Sequence, residues 1–345
     1  MRIVRGATLP YFYFKFSVRK EDYVYQPAFR RNARFPSFRR RALSDDANKV
    51  AAFLGEIIDT SQIATLSDGF CNEVFLVNTT KGHQVVKLYS LVSKLRTQRE
   101  LRGFADVLCA QLQLSPNVTR RTSQGIAHEF VLGRVLSEED MHNDRIDFTL
   151  SIASRISTLH SSPIPREYGS QPLIWGWLHS MLEYIKLKKD ILPGGVTVYE
   201  LEEEVASMKE RLGRAQLPVV FCHGDLKPSN LLLEEPSGKI WMIDLELAGP
   251  NYRGFDLMKL FRTNPQSFSE AKFEGFLSCY AHQLGSQQLT VHELKRECQI
   301  CEALTWLEAA VFFAAMISAP NSDVASSSTL FESRWQLFLG CKSQC

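Results

Sequence analysis

The densest chemistry in the chain lies between two short apolar runs, Val219 to Cys222 and Ile240 to Ile243. After the first comes His223-Gly224-Asp225-Leu226-Lys227-Pro228-Ser229-Asn230, and the second ends at Asp244, followed by Glu246. Asn230 follows Asp225 by five positions, and Asp244 follows Asn230 by fourteen. A carboxylate on such a loop suits orienting an attacking hydroxyl and accepting its proton. An amide oxygen and a further carboxylate are hard ligands for a Mg2+ ion that bridges phosphates. Singly, each residue is weak evidence: an Asp at a strand end also caps turns, and His223 reads better as a buried, hydrogen-bonded residue than as a base. Together, the spacing and the flanking apolar runs form a specific pattern for phosphoryl transfer.

Such a loop needs elements to hold it and a second lobe to bring a nucleotide. Upstream, Gln62 to Thr65 and Glu73 to Asn78 read as strands joined across Ser67-Asp68-Gly69-Phe70-Cys71-Asn72, where Asp-Gly marks a tight turn. A third strand, His83 to Tyr89, carries Lys87, placed for the α- and β-phosphates. A charged helix from about Lys94 to Leu112 then carries Glu100, the expected ion-pair partner of Lys87. Ser67, Gly69 and Asn72 form the candidate phosphate loop, with a single glycine to let backbone approach a phosphate. Downstream, Phe148, Ile152, Ile156 and Leu159 share one helix face, as do Leu201, Val205, Met208 and Leu212. Helices are also expected over 273–284 and 292–317. A small strand-rich lobe (47–132) before a larger helical lobe (133–345) predicts an α+β, bilobal, protein-kinase-like fold.

The stretch Val219 to Phe261, with HGDLKPSN and then IDLELAGPNYRGFD, resembles the choline/ethanolamine kinase family. That family shares the aminoglycoside-phosphotransferase and protein-kinase-like fold. Weaker similarity runs over roughly residues 60 to 340. Ser67 to Asn72 is similar to the family's nucleotide loop, Glu129-Phe130-Val131 to its interlobe hinge, and Leu159-His160 with Pro163 to its helical-lobe motif. The resemblance implies Asp225 as catalytic base, Asn230 and Asp244 as Mg2+ ligands, and Glu246 as a carboxylate behind them or on a second ion. It implies Lys87 on ATP, Glu129 and Val131 at the base, and Lys227 near the transferred phosphate. The implied reaction is transfer of the ATP γ-phosphate to ethanolamine or choline, feeding phospholipid synthesis. A kinase of the same fold for another small alcohol, such as thiamine or an aminoglycoside, and a catalytically silent binding module are the alternatives.

The acceptor side departs from the family. After Asp256 the chain reads Leu257-Met258-Lys259-Leu260-Phe261-Arg262-Thr263-Asn264, without the family's substrate-side Glu, and Leu247 replaces an aromatic. Trp306 is present, but its usual Trp partner three positions on is Ala309. Pro320 to Thr329 reads as a polar loop. A quaternary ammonium is held mainly by aromatic faces and nearby negative charge. Glu302 and Trp306, one helical turn apart, could share a face and receive the substrate cation, with core packing the alternative for Trp306, and Glu274, Glu302 and Glu308 are the carboxylates open to replace the missing Glu.

Composition excludes other classes. Residues 1–44 hold eleven Lys and Arg against two acids, so a chain of net charge +2 has a body carrying −7. A body of that sign argues against a nucleic-acid binder. Residues 1–46 form a basic, aromatic-rich extension, expected to be an organellar targeting segment, a disordered extension or one docked on the body. The longest apolar run, Ala309 to Ile317, is nine residues, so stable membrane insertion is not expected. Eight scattered cysteines fit a reducing compartment, and the cytoplasm is the expected location. The Cys298-x-x-Cys301 pair has too few companions for a zinc site. No motif encodes the oligomeric state, a homodimer included.

Overall fold

The computed structural model describes residues 43–67, 71–142, 148–235, 237–262, 269–285, 289–320 and 322–342. The N-terminal extension up to residue 42 and Asp68-Gly69-Phe70 of the candidate phosphate loop lie outside the described residues.

The N-terminal lobe is one antiparallel sheet of five strands. In chain order they are β1 (Ile63–Ser67), β2 (Glu73–Thr79), β3 (Gly82–Leu88), β4 (Val118–Arg121) and β5 (Gly125–Glu129). Their spatial order is β1-β2-β3-β5-β4. Helix α1 (Leu43–Leu54) puts Val50 and Phe53 against Phe75, Val77, Val86 and Ala127 of the sheet. The alternation of β3 follows from this packing: Val86 is fully buried on the α1 side, and Lys87 must face the other way, into the cleft.

The charged helix expected over 94–112 is two helices, α2 (Leu91–Arg96) and α3 (Phe104–Gln111). Gly103, with φ of +67°, turns the chain between them. Arg102 reinforces the break by donating to the carbonyls of Lys94 at 2.9 Å and Thr97 at 3.2 Å, groups a continuous helix would have used internally.

Residues 130–132 lead into the C-terminal lobe. Its sheets are small: β6 (Gly133–Val135) pairs with β8 (Leu231–Glu234) and β9 (Ile240–Met242), and β7 (Val219–Cys222) pairs with β10 (Gly249–Tyr252). Around them lie α4 (Glu138–His142), α5 (Thr149–His160), α6 (Ile174–Lys186), α7 (Val198–Ala215), α8 (Arg253–Phe261), α9 (Glu270–Gln283), α10 (Val291–Ser318) and α11 (Val324–Cys341). Ile152, Ile156 and Leu159 of α5 pack on Phe221, Leu226 and Met242, beneath the candidate catalytic loop. Leu201, Met208 and Leu212 of α7 join a second core with α6, α10 and α11, while Val205 is only partly buried. Capping boxes start the long helices: Thr197 with Glu200 for α7, and Thr290 with Glu293 for α10.

The expected Ser-rich loop over 320–329 is largely helix instead. The Asp323 side chain caps Ser326 N at 3.0 Å, and α11 then buries Phe331, Trp335 and Phe338. Polar composition hid an N-cap followed by aromatics at helical spacing. α10 alone among the described residues is long and apolar enough to cross a membrane, and 78% of that stretch is buried against the rest of the lobe.

Candidate active site

The loop after β7 carries Asp225. Gly224 before it has φ of +80°, and a Cβ there would stand 2.3 Å from the Leu247 carbonyl oxygen, so glycine is needed for this turn. The loop is clamped from below by Asp256 of α8. Its carboxylate accepts from the amides of His223 at 2.5 Å and Gly224 at 2.9 Å. His160 of α5 adds a bond from Nε2 at 3.2 Å, and its Nδ1 meets the Tyr280 hydroxyl at 2.7 Å. Burial works against the charge on Asp256, but His160 and the loop amides hold its pKa below the usual carboxylate range. Cys222 lies beside this pair, and its thiol donates to the Asn251 carbonyl at 3.4 Å. The His160–Cys222–Asp256 group thus has its atoms engaged in holding the loop.

His223 is the buried, bonded residue its type foreshadowed. Nδ1 accepts from Asp225 N at 3.3 Å and Nε2 donates to the Ile243 carbonyl at 3.1 Å, which fixes a neutral tautomer. Burial also pushes its pKa down.

Asp225 is surrounded by donors. Lys259 Nζ reaches Oδ1 at 2.8 Å, while Lys227 Nζ and Asn230 Nδ2 reach Oδ2 at 2.9 and 3.2 Å. Burial would raise its pKa, but the two ammonium groups prevail and hold it well below the usual value. Asn230 Nδ2 also donates to the Asp225 carbonyl at 2.8 Å, leaving the amide oxygen available to a cation.

Asp244 follows β9 with φ of 64° and ψ of 48°, a left-handed conformation uncommon for a residue with a side chain. The turn brings its carboxylate to the Lys87 ammonium, which also lies 3.0 Å from Glu246 Oε2. Burial would lower the Lys87 pKa, but the two carboxylates lift it well above the ordinary lysine value. Glu246 is held from the other lobe at several points. Its carboxylate accepts from Asn72 Nδ2 at 2.6 Å, Ser93 Oγ at 3.0 Å and Arg96 Nη2 at 3.2 Å. Its carbonyl accepts from Thr97 Oγ1 at 2.9 Å.

Most of the sequence-derived candidates therefore meet in one cleft: Lys87, Asp225, Lys227, Asn230, Asp244, Glu246 and Asn72. Glu100 does not. It is exposed in the turn between α2 and α3, and only its carbonyl is engaged, by Arg121. The helix break moves it away, and Lys87 finds its anions at Asp244 and Glu246. The α3 carboxylate facing Lys87 is Asp106, pushed up to about 6 by burial and drawn back by Lys87. Asn72 also accepts from Ser90 N at 3.0 Å, which fixes the end of the phosphate loop. Ser67 ends β1, and Gly69 lies outside the described residues. At the hinge, the Glu129 carbonyl receives His128 Nδ1 at 3.0 Å and its amide donates to the Asn117 carbonyl at 2.9 Å. Val131 lies two residues on, within the link to β6.

On the acceptor side, Glu308 of α10 is the carboxylate that approaches the base. It lies 3.0 Å from Lys259 Nζ and 3.7 Å from Arg96 Nη1. Glu274 is out on the surface, 2.9 Å from Lys295. Glu302 is half-buried one turn before Trp306, and its carbonyl accepts from Thr305 Oγ1 at 2.7 Å. Trp306 is buried in the α10–α11 core, with the Arg262 guanidinium 4.8 Å and the Arg334 guanidinium 5.5 Å from its ring. Of the three carboxylates open from sequence, Glu308 is the one brought to the acceptor side, whereas Lys259 and Arg262 carry no motif that marks them as its companions. The signal was the departure after Asp256, which reads as a lost Glu when it is also a gained pair of cations.

The profile of the choline/ethanolamine kinase family matches residues 63–297. Ethanolamine kinase 2 of Mus musculus is 28% identical over 202 residues, covering 55% of this chain and 50% of the relative. The Homo sapiens choline/ethanolamine kinase is 26% identical over 183 residues, 50% of this chain and 45% of the relative. The chain thus spans about half the length of the curated relatives it matches. Among solved structures, choline kinase LicA from Streptococcus pneumoniae superposes with a TM-score of 0.67 at 18% identity, over 88% of this chain and 99% of the other. A Plasmodium vivax ethanolamine kinase gives 0.66 at 18% identity, over 79% and 81%. The bilobal α+β fold and the run of motifs from the β-sheet lobe to α10 have one common source: the chain belongs to the choline/ethanolamine kinase family.

Proposed function

We propose that the protein transfers the γ-phosphate of ATP to the hydroxyl of a small amino alcohol of the ethanolamine and choline class. The observation that carries the reading is the convergence of Asp225, Lys227, Asn230, Asp244 and Lys87 in one cleft between the lobes, with Asp225 held ionised. The names of the relatives support the acceptor class.

The donor set fits Mg2+. The Asn230 amide oxygen and the Asp244 and Glu246 carboxylates are hard oxygen ligands, and the Lys87 ammonium already spans the two carboxylates as a cation would. Bound there, Mg2+ would offset the charge of the phosphates. Lys87 pairs with the phosphates of ATP, and the hinge segment from Glu129 to Val131 offers backbone to the base. Asp225 accepts the hydrogen bond of the acceptor hydroxyl and orients its oxygen. The oxygen–phosphorus bond forms while the bond from γ-phosphorus to the bridging oxygen breaks, ADP leaves with that electron pair, and the hydroxyl proton passes to Asp225. Lys227 offsets the charge on the transferred group.

The test is ADP formation by purified protein with Mg2+, supplied in turn with ethanolamine, choline, thiamine and an aminoglycoside, beside Asp225→Ala. Acceleration by ethanolamine or choline that disappears in the variant is the expected result. Turnover on none of the four, or turnover unaffected by Asp225→Ala, refutes the reading.

A further inference from the structure

The acceptor side of Asp225 carries more positive than negative charge. Lys227 and Lys259 both sit on Asp225, and Lys259 also reaches Glu308. Arg262, immediately after α8, adds a third cation three positions from Lys259, on the same side of the chain. With Arg96 3.7 Å from Glu308, four cations thus stand around these two carboxylates.

Arg262 is the one of these cations that makes no direct ion pair among the described residues. Its Nη1 donates to the Thr305 carbonyl, while Nε is buried and has no partner among the described residues. No carboxylate lies within ion-pair distance of it among the described residues. Burial pushes its pKa down to about 10, against the attraction of Glu308 and Asp225. Its plane also lies 4.8 Å from the Trp306 ring, so the aromatic face that a substrate ammonium would seek already carries a guanidinium. A partly buried guanidinium with donors to spare is a fork for a carboxylate or phosphate.

We infer that the acceptor alcohol carries an anionic group, a carboxylate or a phosphate, beside its hydroxyl, and that Arg262 receives it, the Lys259 ammonium being already shared among Asp225, Glu308 and the Gly224 carbonyl. Within the amino-alcohol class this favours zwitterionic members over ethanolamine and choline. The inference rests on the phosphotransferase reading and deepens it.

The test uses the full chain with saturating ATP and Mg2+, and compares kcat/KM for ethanolamine, choline, serine, glycolate and glycerol 3-phosphate. The last two separate carboxylate from phosphate as the anion. The expected result is an anionic or zwitterionic acceptor preferred over ethanolamine by about tenfold or more. That ratio falls about tenfold in Arg262→Gln and is partly restored in Arg262→Lys. Ethanolamine or choline preferred, with a ratio that Arg262→Gln leaves unmoved, overturns the anion subsite while the phosphotransferase reading stands. The wild-type ranking decides alone where Arg262→Gln does not fold. Turnover on none of the five counts against the phosphotransferase reading. The subsite is then read by calorimetric titration of glycolate and glycerol 3-phosphate into protein saturated with a non-hydrolysable ATP analogue. Binding weakened about tenfold by Arg262→Gln supports it, and no binding of either at millimolar concentration overturns it.

Discussion

Replacing Lys259 by methionine keeps a side chain of similar length and removes the ammonium that lies 2.8 Å from Asp225 Oδ1. At 2.8 Å the Coulomb attraction is about 1.5 kcal/mol in bulk water and about 6 kcal/mol at an effective dielectric of about 20. Lys259 is 3% exposed and Asp225 23%, so the pair lies between those limits, and the Asp225 pKa should rise when the ammonium is removed. The wild-type carboxyl starts well below its ordinary value, so activity should hold down the acid range, and the variant should lose it at higher pH. The assay is kcat/KM for the acceptor from pH 4.5 to 8 at saturating ATP and Mg2+. Lys227→Met is the comparison: its ammonium is 40% exposed and better screened, so its removal should shift the acid limb less. Lys259→Met also leaves Glu308, among the described residues, with Arg96 at 3.7 Å as its remaining direct ion pair, a loss on the order of 3–5 kcal/mol for a broken buried pair, so melting curves accompany the profile. An acid limb within about 0.3 units of wild type, in a folded variant, would refute the electrostatic account of the base.

Other consequences can be measured separately. Gly224→Ala places a Cβ 2.3 Å from the Leu247 carbonyl at a φ of +80°; it should cost about 2 kcal/mol or more in chemical denaturation and lower kcat over about tenfold. Lys87→Met should lower kcat/KM by about a hundredfold or more, whereas Glu100→Ala should stay within about twofold; equal losses would restore Glu100 as the partner of Lys87. Asp106 has a folded pKa of about 6, raised by burial, so its ionisation costs stability as pH rises from about 4 to 6. Asp106→Asn should therefore raise Tm by a few degrees at pH 7.5, with the gain shrinking toward pH 4.5; a gain equal at both pH values would count against a desolvated carboxylate.

Much of the site is legible because its chemistry is local. The loop from His223 to Asn230 is set by a tight turn between short strands, and the spacing of Asp225 and Asn230 survives folding unchanged. Strand alternation likewise sends Lys87 to the cleft once Val86 is known to face α1. What escaped is what depends on a single backbone conformation or on distant packing. Gly103 breaks the helix that would have carried Glu100 inward, and Arg102 caps the break. The Pro320–Thr329 stretch looked like loop because serine and threonine are poor interior helix formers, yet Asp323 nucleates α11 and the aromatics that follow pay for it by burial. The acceptor pocket was the least legible part. Lys259 and Arg262 come from α8, Glu308 and Trp306 from α10, and no motif spacing links the two helices.

Glu246 binds the two lobes through one side chain and one carbonyl, with Asn72, Lys87, Ser93, Arg96 and Thr97 all contributed by the N-terminal lobe. Contacts spread over an interface can be lost one by one, and the lobes then drift apart gradually. Contacts gathered on one residue are released together, because any displacement of Glu246 strains all of them. Opening of the cleft should accordingly behave as a discrete event with a threshold. Amides along α2 should then exchange with solvent at one common rate, and Glu246→Ala should accelerate all of them together.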